Sequence, residues 1–339
     1  LLGYFYPAVP VTIEEFAARH IPFNFDRYCK PFINDQILWD IFGNEKDAIA
    51  EHFMYQENGV YHFKQEYDCQ RKLAEYFKKN PRKNAEEKLI SLAANVLFLQ
   101  EFNGTDYVYH PRFNINKTIS YQYLSDWEKK QLYDLYVDYF FRRQDGLWYQ
   151  KAMEKLPMLL AATDMLICGE DLGLVPDCVP VVMDKLGITA LKVQRSPKED
   201  VPYYDPQTAS YMNVVTASSH DSSTLRQWWK ENRELTQHYF NNQLKQFGTS
   251  PSELLPELAE IIMKQHLHSE AMLAIFPIQE YFATDYEIVN PYADDERINN
   301  PAVFPHYWRY RMHISIEELL QKGYFNNKIA HFVAESGRN

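Results

Sequence analysis

Over the first 145 residues the apolar positions recur mostly at intervals of three and four, the spacing of one helix face. "TIEE", Thr12 to Glu15, has the spacing of a capping box, in which a Thr hydroxyl and a Glu carboxylate satisfy free amides at a helix start. "SDWEKKQLYDLYVDYFFRR" opens with a second such box, Ser125 and Glu128. Leu132, Leu135, Tyr136 and Tyr139 then share a face. "NAEEKLISLAANVLFLQEF" predicts a helix from an N-cap at Asn84, with Leu89, Leu92, Val96 and Leu99 along its apolar side. "KKNPRKN", Lys78 to Asn84, is polar and broken by proline, which predicts an exposed connection. A mostly helical unit before about residue 145 is the expectation.

After Thr163 the pattern changes, and short apolar runs alternate with helical stretches. "MLIC" (Met165–Cys168) precedes a helix from about Asp177 to Gly187, and "ALKVQ" (Ala190–Gln194) comes next. "NVVTAS" (Asn213–Ser218) precedes a helix from about Ser222. "MLAIFPI" (Met272–Ile278) follows a helix over Leu255–His266. Four strand-plus-helix units predict an α/β fold with a parallel sheet, half of a (β/α)8 TIM-type barrel.

Such barrels carry their chemistry where strands end, at the carboxyl face. Glu170 and Asp171 follow the first of these strands, in "ICGEDLGLVP". His220 and Asp221 follow the third, in "TASSHDSSTLRQWW", and Gln279 and Glu280 follow the fourth. Carboxylates gathered in one cleft suit glycosidic bond chemistry: one donates a proton to the leaving oxygen, another attacks the sugar or supports a cationic transition state. The structural alternatives are a rim salt bridge for Glu170 and a helix N-cap for Asp221. "QHLH" (Gln265–His268) lacks metal-ligand spacing with a matching carboxylate. No glycine-rich phosphate loop and no G-x-S-x-G elbow occurs.

Composition narrows the classes. The 339 residues are 46% hydrophobic and 24% charged, an ordinary globular balance with enough apolar side chains for a sizeable core. A net charge of -11 argues against nucleic acid or an anionic membrane as partner. Aromatic residues reach 15%, and their faces suit both a core and the C–H face of a sugar. The 4 cysteines, Cys29, Cys69, Cys168 and Cys178, form no C-x-x-C pair, so a reducing compartment is the default. No apolar run is long enough to span a membrane, and no secretory signal is visible. The chain opens on Leu1-Leu2-Gly3, which reads as a fragment.

"ATDMLICGEDLGLVPDCVPVVMDKLGI", "LKVQRSPK" and "SSHDSSTLRQWW" together resemble the 4-α-glucanotransferases. These are the amylomaltases, or disproportionating enzymes, of glycoside hydrolase family 77. "YFYPAVPVTIEEF", "IPFNFDRYCKPFI", "AIFPIQEYFA" and "ERINNP…HYWRYRMH" are similar to a cytosolic, disproportionating-enzyme-like subgroup acting on maltose and branched heteroglycans. The resemblance covers nearly the whole chain. It implies the carboxyl-terminal half of the catalytic barrel over 146–339, a large helical insertion over 21–145, and a lead-in segment over 1–20. It implies Glu170 as general acid/base and Asp221 as the acid that binds sugar hydroxyls and stabilises the transition state. His220 and Asn299 would contact substrate, and Asp171 would tie the strand end to its neighbours. The glycines beside the two acids would leave room for sugar.

Retaining transfer between maltose, malto-oligosaccharides, glycogen or a heteroglycan is the implied activity, in the cytoplasm and without metal or organic cofactor. Homo-oligomer contact or large-glucan binding would be the use of the insertion. The family's nucleophile, the Asp of an R-I-D-H motif, does not occur in this sequence, so the chain alone is expected to be inactive. "NNPA" also stands where the family more often has N-x-P-G. The rival expectations are an α-glucan hydrolase and a glycan-binding fragment without catalysis.

Overall fold

The computed structural model describes residues 7–171, 175–198, 200–305 and 308–338. Two compact units divide the chain, Leu1–Lys151 and Ala152–Asn339. The division falls within the helix Gln144–Ala161.

The first unit is built from helices and two antiparallel hairpins. Strand β1 (Met54–Glu57) pairs with β2 (Val60–Phe63), and β3 (Phe98–Phe102) with β4 (Tyr107–Pro111). The helix expected to run on through Val96 and Leu99 covers only Lys83–Ala93. The chain turns there because the Ser120 hydroxyl and amide bond to Asn95, at 2.5 Å and 3.2 Å. Beyond it Phe98 to Phe102 alternates as a strand does. The β1–β2 turn is Asn58-Gly59, with φ of 50° and 79°, a left-handed pair that fits the twist of a tight hairpin.

Elsewhere helical periodicity holds. Asp126–Phe141 starts in a Ser125–Glu128 capping box and buries Leu132, Leu135, Tyr136 and Tyr139. Those side chains join Phe16, Tyr28 and Phe98 in one core, and a second core gathers Ile37, Phe53, Leu73 and Leu89. Lys78 to Asn84 is exposed throughout.

In the second unit the described strands form one parallel sheet in sequential order: β5 (Cys168–Gly169), β6 (Thr189–Val193), β7 (Asn213–Thr216) and β8 (Leu273–Ala274). The fold is α/β, and the sheet is open rather than a closed barrel. Helix Cys178–Leu186 connects β5 to β6, and Leu225–Glu231, Arg233–Asn242 and Pro256–Leu267 lie between β7 and β8. Among the described residues the β6–β7 connection carries a 3-10 turn, Pro206–Thr208, and no α-helix.

β5 also differs from expectation. Met165 and Leu166 are exposed, at 73% and 47%, and the strand begins only at Cys168. The run is apolar, but β5 pairs with β6 alone and lies at the sheet edge. The core sits on the other side of the sheet order, where Leu225, Trp228, Trp229, Tyr239 and Ile262 pack together.

Replacing Ser125 by Ala should cost about 1 kcal/mol of stability, because the Glu128 N–H loses its side-chain acceptor, while the bond from the residue 125 N–H to the Glu128 carboxylate remains. Urea unfolding of the two proteins side by side measures the difference.

Candidate active site

The two acids after β5 differ in surroundings. Asp171 lies over β6: its Oδ1 accepts the Leu191 N–H at 3.0 Å, and its Oδ2 pairs with Lys198. Asp171 therefore ties the strand end to its neighbour. Successive side chains of an extended chain point to opposite sides, and Glu170 is exposed. The glycine before them serves packing. A Cβ on Gly169 would meet Met183 Cε at 2.8 Å and Ile188 Cγ2 at 3.3 Å, so the space it leaves is filled by this unit's own core, not by sugar. Gly173, the other glycine, lies outside the described residues.

After β7 the chain forms a tight loop. The Ser222 N–H bonds to the Ser219 carbonyl, and the Ser219 N–H to Ser222 Oγ at 3.0 Å. The following helix, Leu225–Glu231, is capped by Thr224 with Gln227. Asp221 is therefore not its N-cap, and its carboxylate is available for other work. Asn299 Nδ2 donates to Asp221 Oδ1 at 2.6 Å, and His220 Nε2 lies 3.4 Å from Oδ2. Arg297 Nε holds the Asn299 carbonyl at 2.9 Å. The Trp308 ring stands 5.3 Å from the His220 ring. His220 and Asp221 remain about half exposed, at 57% and 53%.

The structure thus brings Asp221, His220 and Asn299 together. Glu170 follows β5 and Asp221 follows β7, so both leave the carboxyl edge of one parallel sheet. One strand lies between, and strand axes two places apart are about 10 Å from each other.

Glu280 does not join them as a cleft acid. It is 3% exposed, in helix Ile278–Phe282, and its Oε1 accepts the Ser218 hydroxyl and the Leu225 N–H, the latter at 3.1 Å. Burial pushes its carboxyl up to about 7. The two hydrogen bonds oppose that rise, nearby Glu296 adds to it, and Arg195 counters it. Glu296 is 2% exposed and raised for the same first reason, although Arg226 pairs with it and the Thr224 hydroxyl donates to it at 3.0 Å. Sequence reasoning passed over Glu296. Its signal was slight: one acid in "ADDER" beside Arg297.

A cavity of about 560 Å³ opens beside Asp171, lined among others by Pro176, Met183, Lys192, Lys198 and Asn213. Glu170, His220, Asp221 and Asn299 do not line it. No group of three His, Cys, Asp or Glu side chains suited to a metal ion occurs among the described residues.

A parallel α/β unit that gathers carboxylate, imidazole, amide and indole groups beyond its strand ends belongs to the class of α/β proteins with a carboxylate-centred site. The profile of glycoside hydrolase family 77, described as 4-alpha-glucanotransferase, matches residues 39–317, and the chain belongs to that family. The chain is 35% identical over its whole length to the "4-alpha-glucanotransferase DPE2" of Oryza sativa subsp. japonica, and spans 37% of that relative. A "4-alpha-glucanotransferase" of Chlamydia pneumoniae is 29% identical over 54% of this chain and 35% of its own length. Among solved structures, the amylomaltase from Streptococcus agalactiae in complex with acarbose covers 84% of this chain and 48% of its own. That match has 13% identity and a TM-score of 0.40.

Glu280 gives a pH signature. An unfolded glutamate releases its proton near 4.5 and the buried one near 7. Between these values the folded state holds more protons, so stability falls as pH rises. Glu280→Gln removes the ionisation, and its stability relative to the parent sequence should improve by ~1–3 kcal/mol from pH 4.5 to 8. Chemical unfolding across that pH series reads the slope; parallel curves for the two proteins would refute it.

Proposed function

We propose that this chain contributes two of three catalytic acids to a 4-α-glucanotransferase longer than itself. The observation that carries this reading is the fixed geometry of Asp221: one oxygen held by Asn299, the other beside His220, the whole group open to solvent. Membership of the family gives that geometry its chemistry.

In the proposed reaction Glu170 protonates the leaving oxygen of an α-1,4 bond and later takes a proton from the acceptor hydroxyl. An exposed acid beyond a strand end suits both roles. Asp221 binds sugar hydroxyls and stabilises the cationic transition state, with Asn299 fixing its rotamer. His220 contacts the sugar at the cleaved bond. The glucan is held as an ester on a third carboxylate, the Asp of an R-I-D-H motif that this sequence does not contain. Two displacements then retain configuration, with acid and nucleophile about 5–5.5 Å apart. Maltose, malto-oligosaccharides, glycogen or a heteroglycan are the proposed donors and acceptors.

The sequential parallel order β5-β6-β7-β8 supports half of an eight-stranded barrel as the setting. Residues 21–145 are proposed as the insertion between the first and second catalytic acids, with oligomer contact or large-glucan binding as its use. No helix among the described residues is long and apolar enough to cross a membrane. A cytoplasmic enzyme is the proposal.

Glu170→Gln in the full-length protein should lower glucose release from maltose by ~10²–10⁴-fold, because the amide keeps the shape and cannot supply the proton. A circular-dichroism melt checks that the fold persists. Retained activity would remove Glu170 from the mechanism. Water competing with the acceptor sugar would make a hydrolase instead, and the ladder from maltotriose separates the two: transfer yields products longer than the substrate, hydrolysis only shorter ones.

A further inference from the structure

We propose that Glu280 is a positioning residue for Asp221: its buried carboxylate ties together the two ends of the Ser218–Leu225 loop that carries His220 and Asp221. One oxygen, Oε1, accepts both the Ser218 hydroxyl and the Leu225 N–H. Ser218 stands two residues before His220, and Leu225 is the first residue of the helix that follows. A first-turn amide has no partner within its own helix. Here the partner comes from a different helix, Ile278–Phe282, and the bond closes the loop like a clasp.

The surrounding contacts act in the same sense. Gln279 Nε2 donates to the Glu296 carbonyl at 2.9 Å, and Glu296 takes the Thr224 hydroxyl and Arg226. Asn299 reaches Asp221 itself. Segment 279–299 therefore grips the loop at both ends and at its working carboxylate.

Glu280 differs from Glu296 in one respect. Arg226 neutralises Glu296, whereas Glu280 forms no ion pair among the described residues; Arg195 nearby bonds instead to Ser223 and Glu231. A buried carboxyl without an ion pair is a poor choice for packing alone. As a hydrogen-bond acceptor in a dry site it is strong and rigid, which suits the holding of a loop. At 3% exposure Glu280 does not touch substrate, so its effect passes through Asp221.

The catalytic consequence rests on the glucanotransferase reading, so the test has two arms on the full-length protein. In the first, hydrogen exchange of the amides of residues 219–225 is followed by mass spectrometry. Glu280→Ala should speed their exchange while peptides from the first unit stay unchanged. In the second, kinetics with maltose should give a fall in kcat of ~10–100-fold with KM within about threefold, the mark of a misplaced transition-state group. Glu280→Gln keeps an acceptor oxygen and should recover most of the loss. Ser218→Ala removes one of the two bonds and should fall between, and it decides the matter if Glu280→Ala does not fold. Unchanged exchange and unchanged kcat in a folded Glu280→Ala or Ser218→Ala variant would overturn the proposal. A full-length protein without transfer from maltose would sink the functional reading, while the exchange arm would still judge the clasp.

Discussion

The hydrogen bond from the Leu191 N–H to Asp171 governs how the acid pair after β5 is presented. β5 has two residues and, among the described residues, a strand partner on one side, so its backbone ladder is short. The Asp171 carboxylate extends that ladder by a side chain, reaching the β6 backbone at 3.0 Å and Lys198 beyond it. Asp171 is held over the sheet, while Glu170 beside it is exposed. Gly169 completes the arrangement, because without a Cβ there Met183 and Ile188 pack close against the strand. The acid that faces solvent and the acid that does not are thus set by neighbours, although the two are chemically alike.

Burial sorts the remaining acids in the same way. A carboxylate removed from water is stable only if something replaces its hydration. Asp171 has Lys198 and a backbone amide, and Glu296 has Arg226 and Thr224. Glu280 forms hydrogen bonds but no ion pair among the described residues, and burial pushes its carboxyl up to about 7. Glu170 and Asp221 stay exposed and keep their hydration. The exposed acids face solvent, and the buried ones hold backbone on either side of them.

Much of the fold was legible in the sequence where local chemistry decides it. The Ser125–Glu128 box, the helix Cys178–Leu186 ending at Gly187, and the cores of β6 and β7 all follow from spacing and caps. The two hairpins were not read, although Asn58-Gly59 and Asn103-Gly104 mark their turns. In "NVLFLQEF" the apolar residues fit a helical face as well as a strand, and only pairing with Tyr107–Pro111 settles which. The run "MLIC" is apolar, yet Met165 and Leu166 are exposed, because exposure depends on what flanks a strand, which local sequence does not carry. At the site, Asp221 with His220 was legible from its place after a strand. Glu296 and the burial of Glu280 were not.

The reason lies in sequence distance. Asn299 reaches Asp221 across 78 residues, and Glu280 reaches Leu225 across 55. Contacts of that span form only once the sheet has brought the strand ends to one edge, because closing the intervening chain costs entropy before it returns anything. A strand end delivers an acid by local pattern alone. Its rotamer, its hydrogen-bond partners and its access to solvent come from segments that no window around it contains. Leu191, Lys198, Ser218, Thr224, Arg226 and Asn299 all belong to the second unit, as do the acids they hold. The site's order therefore depends on the integrity of that unit's own long-range contacts, which hold the loop at Ser218, Thr224 and Leu225 as well as at Asp221 itself.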